Sequence, residues 1–331
     1  MAQSKFKERL YLAQDVGGTK MQASLIGESG KIYDRFRSPT PRAGRAALLL
    51  KAIQENIHQI LKTNELGPKS LQAIALAIPG VVDPASGKLV VAPNLGIRNL
   101  NLARPLRQAF RVPVVLGNDT DLGTLGECWL GAGRKAASAV GIFVGTGIGA
   151  GFVQEKRLYR GASEAALEIG HMIMQVDGPL CGCGGRGCFE ALASRTAIER
   201  EIRQAVKDGQ KTILTKLLEG DLKLIRSSSL RKALNKKDRL VMKIVSQAAR
   251  IHGLACLNIR HLFDPEVIIM GGGVLEACHE FMLPIIQETV AQDPLRGARA
   301  GAKVVLSKLG DDAVVLGAVA QARMAVGRSP F

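Results

Sequence analysis

Four residues of types that bind metal ions lie close together in the middle of the sequence. His171, Cys181, Cys183 and Cys188 supply one imidazole and three thiols, and the cysteines are separated by glycines at 182, 184, 185 and 187. A Cys₃His set fills all four positions of a tetrahedral zinc ion, which is typical of a structural site. We therefore predict a structural zinc ion at these residues, with free thiols as the alternative.

Two carboxylates accompany this metal-binding segment. Glu168 precedes the first metal ligand by three residues, and Glu190 follows the last by two. A zinc ion that fixes the segment would also fix both carboxylates, which would preorganise a site for sugar hydroxyl groups. They could instead be surface charges beside a zinc knuckle. A nucleic-acid knuckle would also need exposed aromatic and basic residues, and only Arg186 and Phe189 are available.

A glycine-rich turn joins two apolar stretches near the start of the chain, in the order Asp15-Val-Gly17-Gly18-Thr19-Lys20. Glycines let backbone N–H groups approach phosphate oxygens, Thr19 can donate a further hydrogen bond, and Lys20 supplies positive charge. Asp15 can hold a hydrated Mg²⁺ ion that bridges phosphates. Because a strand follows the turn, it is not the phosphate loop that opens a helix. An ordinary hairpin turn is the alternative.

The same device recurs at Gly145-Thr146-Gly147-Ile-Gly149. Two phosphate-type turns in one chain predict paired phosphate clamps in a duplicated fold. The second turn departs from the dinucleotide fingerprint because a strand follows its glycines. A third turn, Gly271-Gly272-Gly273, lies between a strand and a helix. Its helix N-terminus suits a nucleotide, although a tight turn without a ligand is equally compatible.

A polar pair, Asn118-Asp119, lies where a predicted buried strand ends and a helix begins. This is the position at which α/β sheets bind their ligands. Asp119 has the chemistry of a base that accepts a proton from an attacking hydroxyl during phosphoryl transfer, and Asn118 can bond to other hydroxyls. Asp119 could instead be only a helix cap.

The elements that must position these residues follow from the apolar periodicity. At 331 residues the chain is long enough for two lobes,, and the alternation of predicted strands and helices indicates an α/β layer arrangement. The predicted strands are 9–16, 21–26, 31–36, 73–78, 112–116, 139–144, 150–154, 266–270 and 303–306, and the predicted helices are 46–61, 101–110, 119–130, 238–262 and 313–324.

The composition is that of an ordinary globular protein, with 47% hydrophobic and 22% charged residues,. No apolar run approaches the ~20 residues that cross a bilayer. Residues 1–9 also lack the apolar core of a signal peptide. We therefore expect a cytoplasmic protein that does not associate with a membrane. The other three cysteines lie singly in apolar segments that are predicted to be helical. We expect Cys128, Cys256 and Cys278 to be small buried core residues.

The charge balance is strongly basic, since 45 Lys and Arg residues against 29 Asp and Glu give a net charge of +16. This excess attracts polyanions, including nucleotide phosphates and nucleic acid. The basic residues are scattered, as in 226–237 and 296–303, with few aromatic residues among them. We therefore expect a solvated basic surface and no dedicated nucleic-acid site.

The motifs together resemble those of the ROK family of bacterial sugar kinases and repressors. The resemblance covers nearly the whole chain, in order, and the zinc segment is its most specific part. It rests on Asp15-Val-Gly-Gly-Thr-Lys20, Ile78-Pro-Gly80, Ala92-Pro-Asn-Leu95, Asn118-Asp119, Leu125-Gly-Glu127, Val144-Gly-Thr-Gly-Ile-Gly-Ala-Gly151, Glu168-Ile-Gly-His171, Cys181-Gly-Cys-Gly-Gly-Arg-Gly-Cys-Phe-Glu190 and the late triple glycine.

This resemblance implies an actin-like (ribonuclease H-like) fold, duplicated, whose two lobes close over a cleft. The expected lobes are 1–118 and 119–312, with 313–331 as a terminal helix that packs back on the first lobe. The resemblance further implies ATP and Mg²⁺ as the donor system, a hexose as acceptor, and a homodimer or homotetramer.

The resemblance also assigns roles to residues, with Asp119 as the base on the sugar 6-hydroxyl. The implied sugar ligands are Gly80, Asn94, Asn118, Asp119, Glu168, His171 and Glu190. The implied nucleotide ligands are Asp15, Gly17, Gly18, Thr19, Lys20, Gly145, Thr146, Gly147, Gly149, Gly272 and Gly273. Two positions depart from the family pattern: Leu167 stands where family glucokinases usually have glycine, and Thr120-Asp121 replaces the more usual Ala-Asn.

Glucose is the acceptor we expect, with an N-acetylhexosamine, mannose or fructose as alternatives and polyphosphate as an alternative donor. A sugar-responsive transcriptional regulator is the rival from another class, because family repressors keep the same body. Those repressors carry a helix-turn-helix domain ahead of the first glycine hairpin. Only fourteen residues precede Asp15 here, too few for two helices of usual length, so we expect an enzyme.

Overall fold

The computed structural model describes residues 6–295 and 302–331 and, within these ranges, contains thirteen β-strands and ten α-helices. Most of the basic stretch 296–303 therefore lies outside the described residues. The strands are β1 (Leu10–Val16), β2 (Lys20–Gly27), β3 (Ile32–Pro39), β4 (Leu71–Ile78), β5 (Val81–Asp83), β6 (Lys88–Ala92), β7 (Ile97–Asn101), β8 (Val114–Asn118), β9 (Ser138–Val144), β10 (Ile148–Gln154), β11 (Arg157–Leu158), β12 (Val267–Gly271) and β13 (Lys303–Leu306). The helices are α1 (Ala46–Thr63), α2 (Ala103–Phe110), α3 (Asp119–Leu130), α4 (Phe189–Ala193), α5 (Arg195–Lys207), α6 (Leu214–Leu217), α7 (Ser227–Asn235), α8 (Arg239–Phe263), α9 (Gly273–Ala291) and α10 (Ala313–Ala325).

Two five-stranded sheets share one topology. Their orders are β3-β2-β1-β4-β8 and β11-β10-β9-β12-β13. In the first, β1, β2 and β3 pair antiparallel, and β4 and β8 continue parallel to β1. In the second, β12 and β13 continue parallel to β9 in the same way. The repeated order is the duplication that the two glycine hairpins predict. A small antiparallel sheet of β5, β6 and β7 completes the set.

Two compact units divide the chain. The first consists of the described residues up to Lys135 together with Gly151–Ala166 and Asp311–Phe331. The second consists of Ala136–Ala150 and the described residues of Leu167–Gly310. The boundaries of these units differ from those of the lobes expected from the sequence. Helix α3 packs against α10 and so belongs to the first unit.

The core of the first unit is built on β1 and β4, which are buried along nearly their whole length. Parallel strands in the middle of a sheet are covered on both faces, so their residues form continuous apolar runs. The helix α1 contributes an apolar stripe at helical spacing, Leu49, Ile53, Ile57 and Ile60,. The helix α10 packs against β1, β4 and β8.

The second unit is built around β12, all of whose residues are buried, and the long helix α8. Among the described residues α8 is the one helix long and apolar enough to cross a membrane, with a mean hydropathy of 1.2. Half of its apolar stretch is buried inside the protein. The helix also packs against α4, α5, α7 and α9. These contacts are those of a core helix.

Several predicted boundaries were wrong. The helix predicted at 101–110 begins at Ala103, because Asn101 ends β7 and its Oδ1 accepts a hydrogen bond of 2.9 Å from the Arg104 N–H. The strand predicted at 112–116 spans Val114–Asn118. The helices α4 to α7 were not predicted, because α4, α6 and α7 are short and α5 carries charged residues between its apolar positions.

The three isolated cysteines are buried, as the sequence predicted, with exposures of 4% for Cys128, 0% for Cys256 and 3% for Cys278. Burial raises the pKa of the Cys128 and Cys256 thiols to about 12 and that of Cys278 to about 11. Thiols with such pKa values stay protonated and inert at neutral pH.

The contact between α3 and α10 depends on glycine. A Cβ atom added at Gly317 would collide with the Leu122 carbonyl oxygen, and one added at Gly126 would collide with the Ala313 carbonyl oxygen. Both obstacles are backbone atoms, which cannot rotate away. The two helices therefore approach more closely than helices with ordinary side chains between them.

We predict that Gly317→Ala destabilises the protein by about 1–3 kcal/mol, because the added methyl group forces α3 and α10 apart. Thermal unfolding followed by circular dichroism measures the effect. Gly67→Ala is the matched control, because a Cβ there meets nothing within 4 Å and φ is −88°. Equal melting temperatures for both variants would contradict the packing described here.

Candidate active site

In the first unit, three strands end side by side. The register pairs Asp15 of β1 with Ala77 of β4, and Ile78 of β4 with Asn118 of β8. These strands are parallel, so the residues that follow their carboxyl ends share one edge of the sheet, where α/β proteins bind ligands. The structure thereby brings Asp15, Gly80 and the Asn118-Asp119 pair to one place, although up to about a hundred residues separate them in the sequence.

Asn118, and not Asp119, caps helix α3. The Asn118 Oδ1 atom accepts hydrogen bonds from Thr120 N at 2.8 Å, Asp121 N at 3.2 Å and the Thr120 hydroxyl at 2.7 Å. Asp119 is the first residue of the helix. Its carboxylate lies where the helix dipole favours negative charge. The helix-cap alternative for Asp119 is therefore wrong, and its Oδ1 atom instead accepts a hydrogen bond of 2.9 Å from Thr120 N within the first turn.

The other side of the Asn118 amide fixes the turn after β4. Its Nδ2 atom donates to the Gly80 carbonyl oxygen at 3.0 Å. Gly80 has φ of 105°, and a Cβ there would collide with the Val91 carbonyl oxygen. Glycine is thus required at this position by both conformation and space. Asn94 lies near this turn in sequence, exposed on a short 3₁₀ helix, Pro93–Leu95.

Asp15 stands out electrostatically. Burial raises the pKa of its carboxyl from 3.8 to about 7. The negative charges of Asp119 and, more weakly, Asp311 raise this pKa as well, and Lys20 opposes them. Two partly buried carboxylates at one sheet edge favour a cation between them. Carboxylate oxygens are also the ligands that Mg²⁺ takes beside phosphates.

The first glycine hairpin, next to Asp15, is closed by short hydrogen bonds. Gly17 N donates to the Lys20 carbonyl oxygen at 3.0 Å, and the Thr40 hydroxyl donates to the Gly17 carbonyl oxygen at 2.7 Å. A Cβ added at Gly18 would meet no atom within 4 Å. Thr19 and Lys20 are exposed. The tip of the hairpin thus offers backbone and side-chain donors to a ligand.

In the second unit, the second hairpin and the triple glycine lie on neighbouring strands. The parallel register pairs Gly271 of β12 with Phe143 of β9, two residues before Gly145. A Cβ at Gly272 would press on the backbone of Val144, and Gly272 has φ of 84°. Helix α9 starts at Gly273. The second sheet therefore presents a glycine hairpin and a helix N-terminus at one edge.

The predicted metal ligands of the second unit converge. The four ligand atoms of His171, Cys181, Cys183 and Cys188 all lie within 4.8 Å of one another. His171 Nδ1 is 3.8 Å from Cys181 Sγ, and Cys183 Sγ is 3.8 Å from Cys188 Sγ. Ligand atoms on a tetrahedral zinc ion with Zn–S bonds of about 2.3 Å lie about 3.8 Å apart. The donor set therefore fits a zinc ion.

The thiols themselves need a cation if they are to be ligands. Burial raises the pKa of Cys188 to about 12, and it also raises the pKa of Cys181. A hydrogen bond from the Gly185 N–H, 3.4 Å from the sulfur, lowers the pKa of Cys183. Three adjacent thiolates repel one another unless a metal ion neutralises them.

Glu190 connects the metal-binding segment to the second hairpin. Its Oε2 atom accepts a hydrogen bond of 2.9 Å from Ile148 N, and a Cβ at Gly147 would collide with the same oxygen. Its Oε1 atom lies 3.9 Å from Cys181 Sγ. The carboxylate of Glu190 is therefore held between a metal ligand and the hairpin.

Glu168 lies on the other side of the segment and is exposed. The residue before it, Leu167, is buried yet has φ of 61°, a left-handed conformation that glycine adopts more easily,. The backbone here follows the path that a glycine would follow, and a leucine side chain has been accommodated on it.

Arg195 was missed by the sequence analysis. Its Nη2 atom donates to the Thr146 hydroxyl at 2.8 Å, in the middle of the second hairpin. The available signal was Ser194, a good helix cap, followed at once by a cation at the first helical position, where the helix dipole disfavours positive charge. Periodicity cannot assign such a residue to a site.

Comparisons with known proteins agree with the motifs. The sequence model described as the ROK family matches residues 11–325. A glucokinase from Halalkalibacterium halodurans is 31% identical over 312 residues, covering 94% of each chain. A xylose repressor from Caldicellulosiruptor bescii is also 31% identical, over 82% of this chain and 67% of its own.

A solved structure is similar over almost the whole length. The ROK family glucokinase from Streptomyces griseus, crystallised in complex with glucose and AMPPNP, has a TM-score of 0.83 and 30% identity. The match covers 95% of this chain and 99% of that one.

We predict a pH-dependent stability difference between the unmodified protein and Asp15→Asn, measured without Mg²⁺ or nucleotide. Because folding raises the pKa of Asp15 to about 7, the stability that comes from its neutral form is complete below about pH 4 and is lost as the pH rises through 7. Asparagine mimics the neutral form at every pH. The melting temperature of Asp15→Asn should therefore equal that of the unmodified protein at pH 4 and exceed it by a few degrees at pH 8.

Melting curves by differential scanning fluorimetry at both pH values check this, with Asp221→Asn in an exposed loop as the control. Added Mg²⁺ should reduce the difference in melting temperature at pH 8, because the cation favours the charged carboxylate of Asp15. A gap that is the same at both pH values would refute the burial of Asp15 described above.

Proposed function

The chain belongs to the ROK family, and on that basis we propose that it is an ATP-dependent hexose kinase that phosphorylates the 6-hydroxyl of glucose. Its two sheets of identical order form the actin-like sugar kinase fold. The observation that carries the proposal is the Asn118 cap, because it places Asp119 at the carboxyl edge of the first sheet without using it as the cap.

In the proposed reaction, Asp119 accepts the proton of the sugar 6-hydroxyl as that oxygen attacks the terminal phosphoryl group. The hydrogen bonds of Asn118 to helix α3 and to Gly80 hold the base and the turn beside it in fixed relation. Such preorganisation lowers the barrier because little rearrangement accompanies proton transfer. We assign Gly80, Asn94 and Asn118 to the sugar.

We assign the nucleotide phosphates to the two glycine hairpins, and the nucleotide base to the Gly272-Gly273 turn. The hairpins supply backbone N–H donors, together with Thr19, Lys20 and Thr146. Asp15 would hold Mg²⁺, which neutralises charge on the phosphates when bound.

The zinc ion in this proposal is structural. It would fix the segment that carries Glu168 and Glu190, the two carboxylates we assign to sugar hydroxyl groups. The 3.8 Å approach of His171 Nδ1 to Cys181 Sγ supports Nδ1 as the atom that would bind the metal. The Nε2–H group is then left as a donor toward the sugar, so one ring can serve both roles.

Leu167 bears on the choice of sugar, because it stands beside Glu168 in a conformation usual for glycine. An N-acetylhexosamine, mannose or fructose remains the alternative acceptor. The repressor among the relatives shows that the same body also serves regulators, but Asp119 and both phosphate hairpins are present in this chain, which favours turnover.

We further propose a cytoplasmic homodimer or homotetramer that functions at the entry of glucose into glycolysis. Support for assembly comes from the second unit, where Ile173 is 71%, Val176 83% and Leu180 63% exposed. Large apolar side chains exposed within one short segment are typical of an interaction surface.

The experiment that tests the proposal is an ADP-release assay over a panel of hexoses and N-acetylhexosamines, with ATP and polyphosphate compared as donors. Turnover with glucose and ATP is the expected result. Turnover with no sugar of the panel would remove the enzyme assignment and favour the regulator. Activity with polyphosphate alone would overturn ATP as the donor.

We predict that Asp119→Asn lowers kcat by at least about a thousandfold, because asparagine cannot accept the proton. Glucose binding should change little, since the amide keeps the size and the polar contacts of the carboxylate. Calorimetric titration with glucose and the ADP-release assay separate the two effects. Asp221→Asn is the matched control and should retain full turnover; unchanged turnover in Asp119→Asn would exclude this residue as the base.

We predict that Cys183→Ser releases zinc and raises the KM for glucose, because loss of one ligand loosens the segment that holds both glutamates. Metal analysis by mass spectrometry and steady-state kinetics measure the two effects. Cys278→Ala, which alters a buried cysteine remote from the cluster in sequence, should keep its zinc and its KM. Freshly prepared protein that contains no zinc would refute the metal assignment.

A further inference from the structure

The second glycine hairpin is held by the start of helix α5. Arg195 N donates to the Gly145 carbonyl oxygen at 3.0 Å, and the Thr196 hydroxyl donates to the Thr146 carbonyl oxygen at 2.8 Å. Ser194 caps the helix by accepting from Ala197 N at 3.2 Å. These contacts fix the first turn of α5 against the hairpin tip.

The Arg195 side chain lies along the same hairpin. Its Nη2 atom donates to the Thr146 hydroxyl at 2.8 Å, and its Nε atom is 3.1 Å from Oε1 of Glu199. Glu199 is only 6% exposed and also contacts Arg203 Nη1 at 3.3 Å. A buried carboxylate one turn along the helix thus forms an ion pair with the guanidinium of Arg195 beside Thr146, without a hydrogen bond between Nε and Oε1.

This placement is unfavourable for the helix alone. Arg195 is the first residue of α5, where the partial positive charge of the helix N-terminus repels a cation. The ion pair with Glu199 compensates for this repulsion, at the cost of burying a carboxylate. An anionic ligand at the hairpin would remove the conflict, because it would bind both the guanidinium and the hairpin donors.

The guanidinium also has donors to spare. It carries five N–H groups in a rigid fork, and within residues 6–295 and 302–331 its polar contacts involve Nη2 and Nε. The side chain is 24% exposed, so a ligand can reach it. Arginine in this state is well suited to a phosphate oxygen, which it can bind through two parallel hydrogen bonds.

We propose that Arg195 binds an oxygen of the β- or γ-phosphate of the nucleotide at the second hairpin, and that Glu199 is the positioning residue that aims its guanidinium. The proposal rests on the proposed function for the presence of a nucleotide. A phosphate oxygen hydrogen-bonded to Thr146 would lie within about 6 Å of Nη2, given hydrogen bonds of about 2.8 Å. Arg195 then neutralises negative charge on the phosphates during transfer.

A purely structural role predicts something different. If Arg195 only clamps the hairpin to α5, its loss lowers the affinity for all nucleotides alike, because the hairpin itself is displaced. If Arg195 binds a β- or γ-phosphate, the loss depends on how many phosphates the nucleotide carries. The number of phosphates therefore separates the two roles.

The experiment is calorimetric titration of the full-length protein with AMP, ADP and AMPPNP in the presence of Mg²⁺, together with steady-state kinetics. For Arg195→Ala we expect AMPPNP binding to weaken about 10–100-fold, as for loss of a charge-assisted hydrogen bond. AMP binding and the KM for glucose should change less than about twofold. Arg195→Lys should recover part of the loss, because it keeps the charge without the fork.

Arg203→Ala is the matched control, since it removes the other partner of Glu199 from the same helix and leaves the Thr146 contact in place. It should leave AMPPNP binding within about threefold. Glu199→Gln should weaken AMPPNP binding more than AMP binding, because it removes the charge that positions the guanidinium of Arg195. Melting temperatures identify a variant that fails to fold, and Arg195→Lys then decides the question.

Equal losses for AMP and AMPPNP in Arg195→Ala would overturn the proposal and leave a structural clamp. So would full AMPPNP affinity in that variant. Failure of the proposed function gives a different result: the unmodified protein would bind AMPPNP with the phosphate dependence described and yet transfer no phosphoryl group to any sugar.

Discussion

Parallel strand pairing is the constraint on which the candidate sites of both units depend. In each sheet a glycine hairpin leaves the central strand at its carboxyl end, and a neighbouring parallel strand ends beside it. Because parallel pairing fixes the strand ends to one edge, residues far apart in sequence meet there without further design. The single Asn118 side chain completes this arrangement in the first sheet, where it caps α3 and bonds to the turn at Gly80.

The candidate site of the second unit depends on close backbone approach as well as on strand pairing. Gly147 leaves room for the carboxylate of Glu190, and Gly170 lets the segment before His171 press on the backbone of Ile148. Gly187 has φ of 69°, and a Cβ there would collide with the Gln175 carbonyl oxygen. The glycines of this region therefore let a metal-binding segment pack against a phosphate hairpin, so ordering of the one supports ordering of the other.

Local patterns were enough to predict the main strands, the long helices and the metal cluster. The apolar runs of β1 and β4 and the Cys₃His spacing carry their information within a few residues, and each of these elements is present in the structure. Other features depend on tertiary contacts. The assignment of the cap to Asn118, the raised pKa of Asp15 and the contact of Arg195 with Thr146 each require knowing which distant residues become neighbours. The division into units also depends on tertiary contacts, because α3 belongs to the first unit mainly through its packing against α10.

The carboxyl edges of the two duplicated sheets differ in charge. Aligning the two hairpins places Asp15-Val16-Gly17 over Phe143-Val144-Gly145, so the carboxylate of the first sheet has an aromatic counterpart in the second. The first edge is acidic, with Asp15 and Asp119 influencing one another, and attracts a cation. The second edge offers backbone donors, the N-terminus of α9 and the guanidinium of Arg195, all of which attract an anion,. Divergence of the duplicated halves has thus given one sheet edge that suits a cation and one that suits an anion.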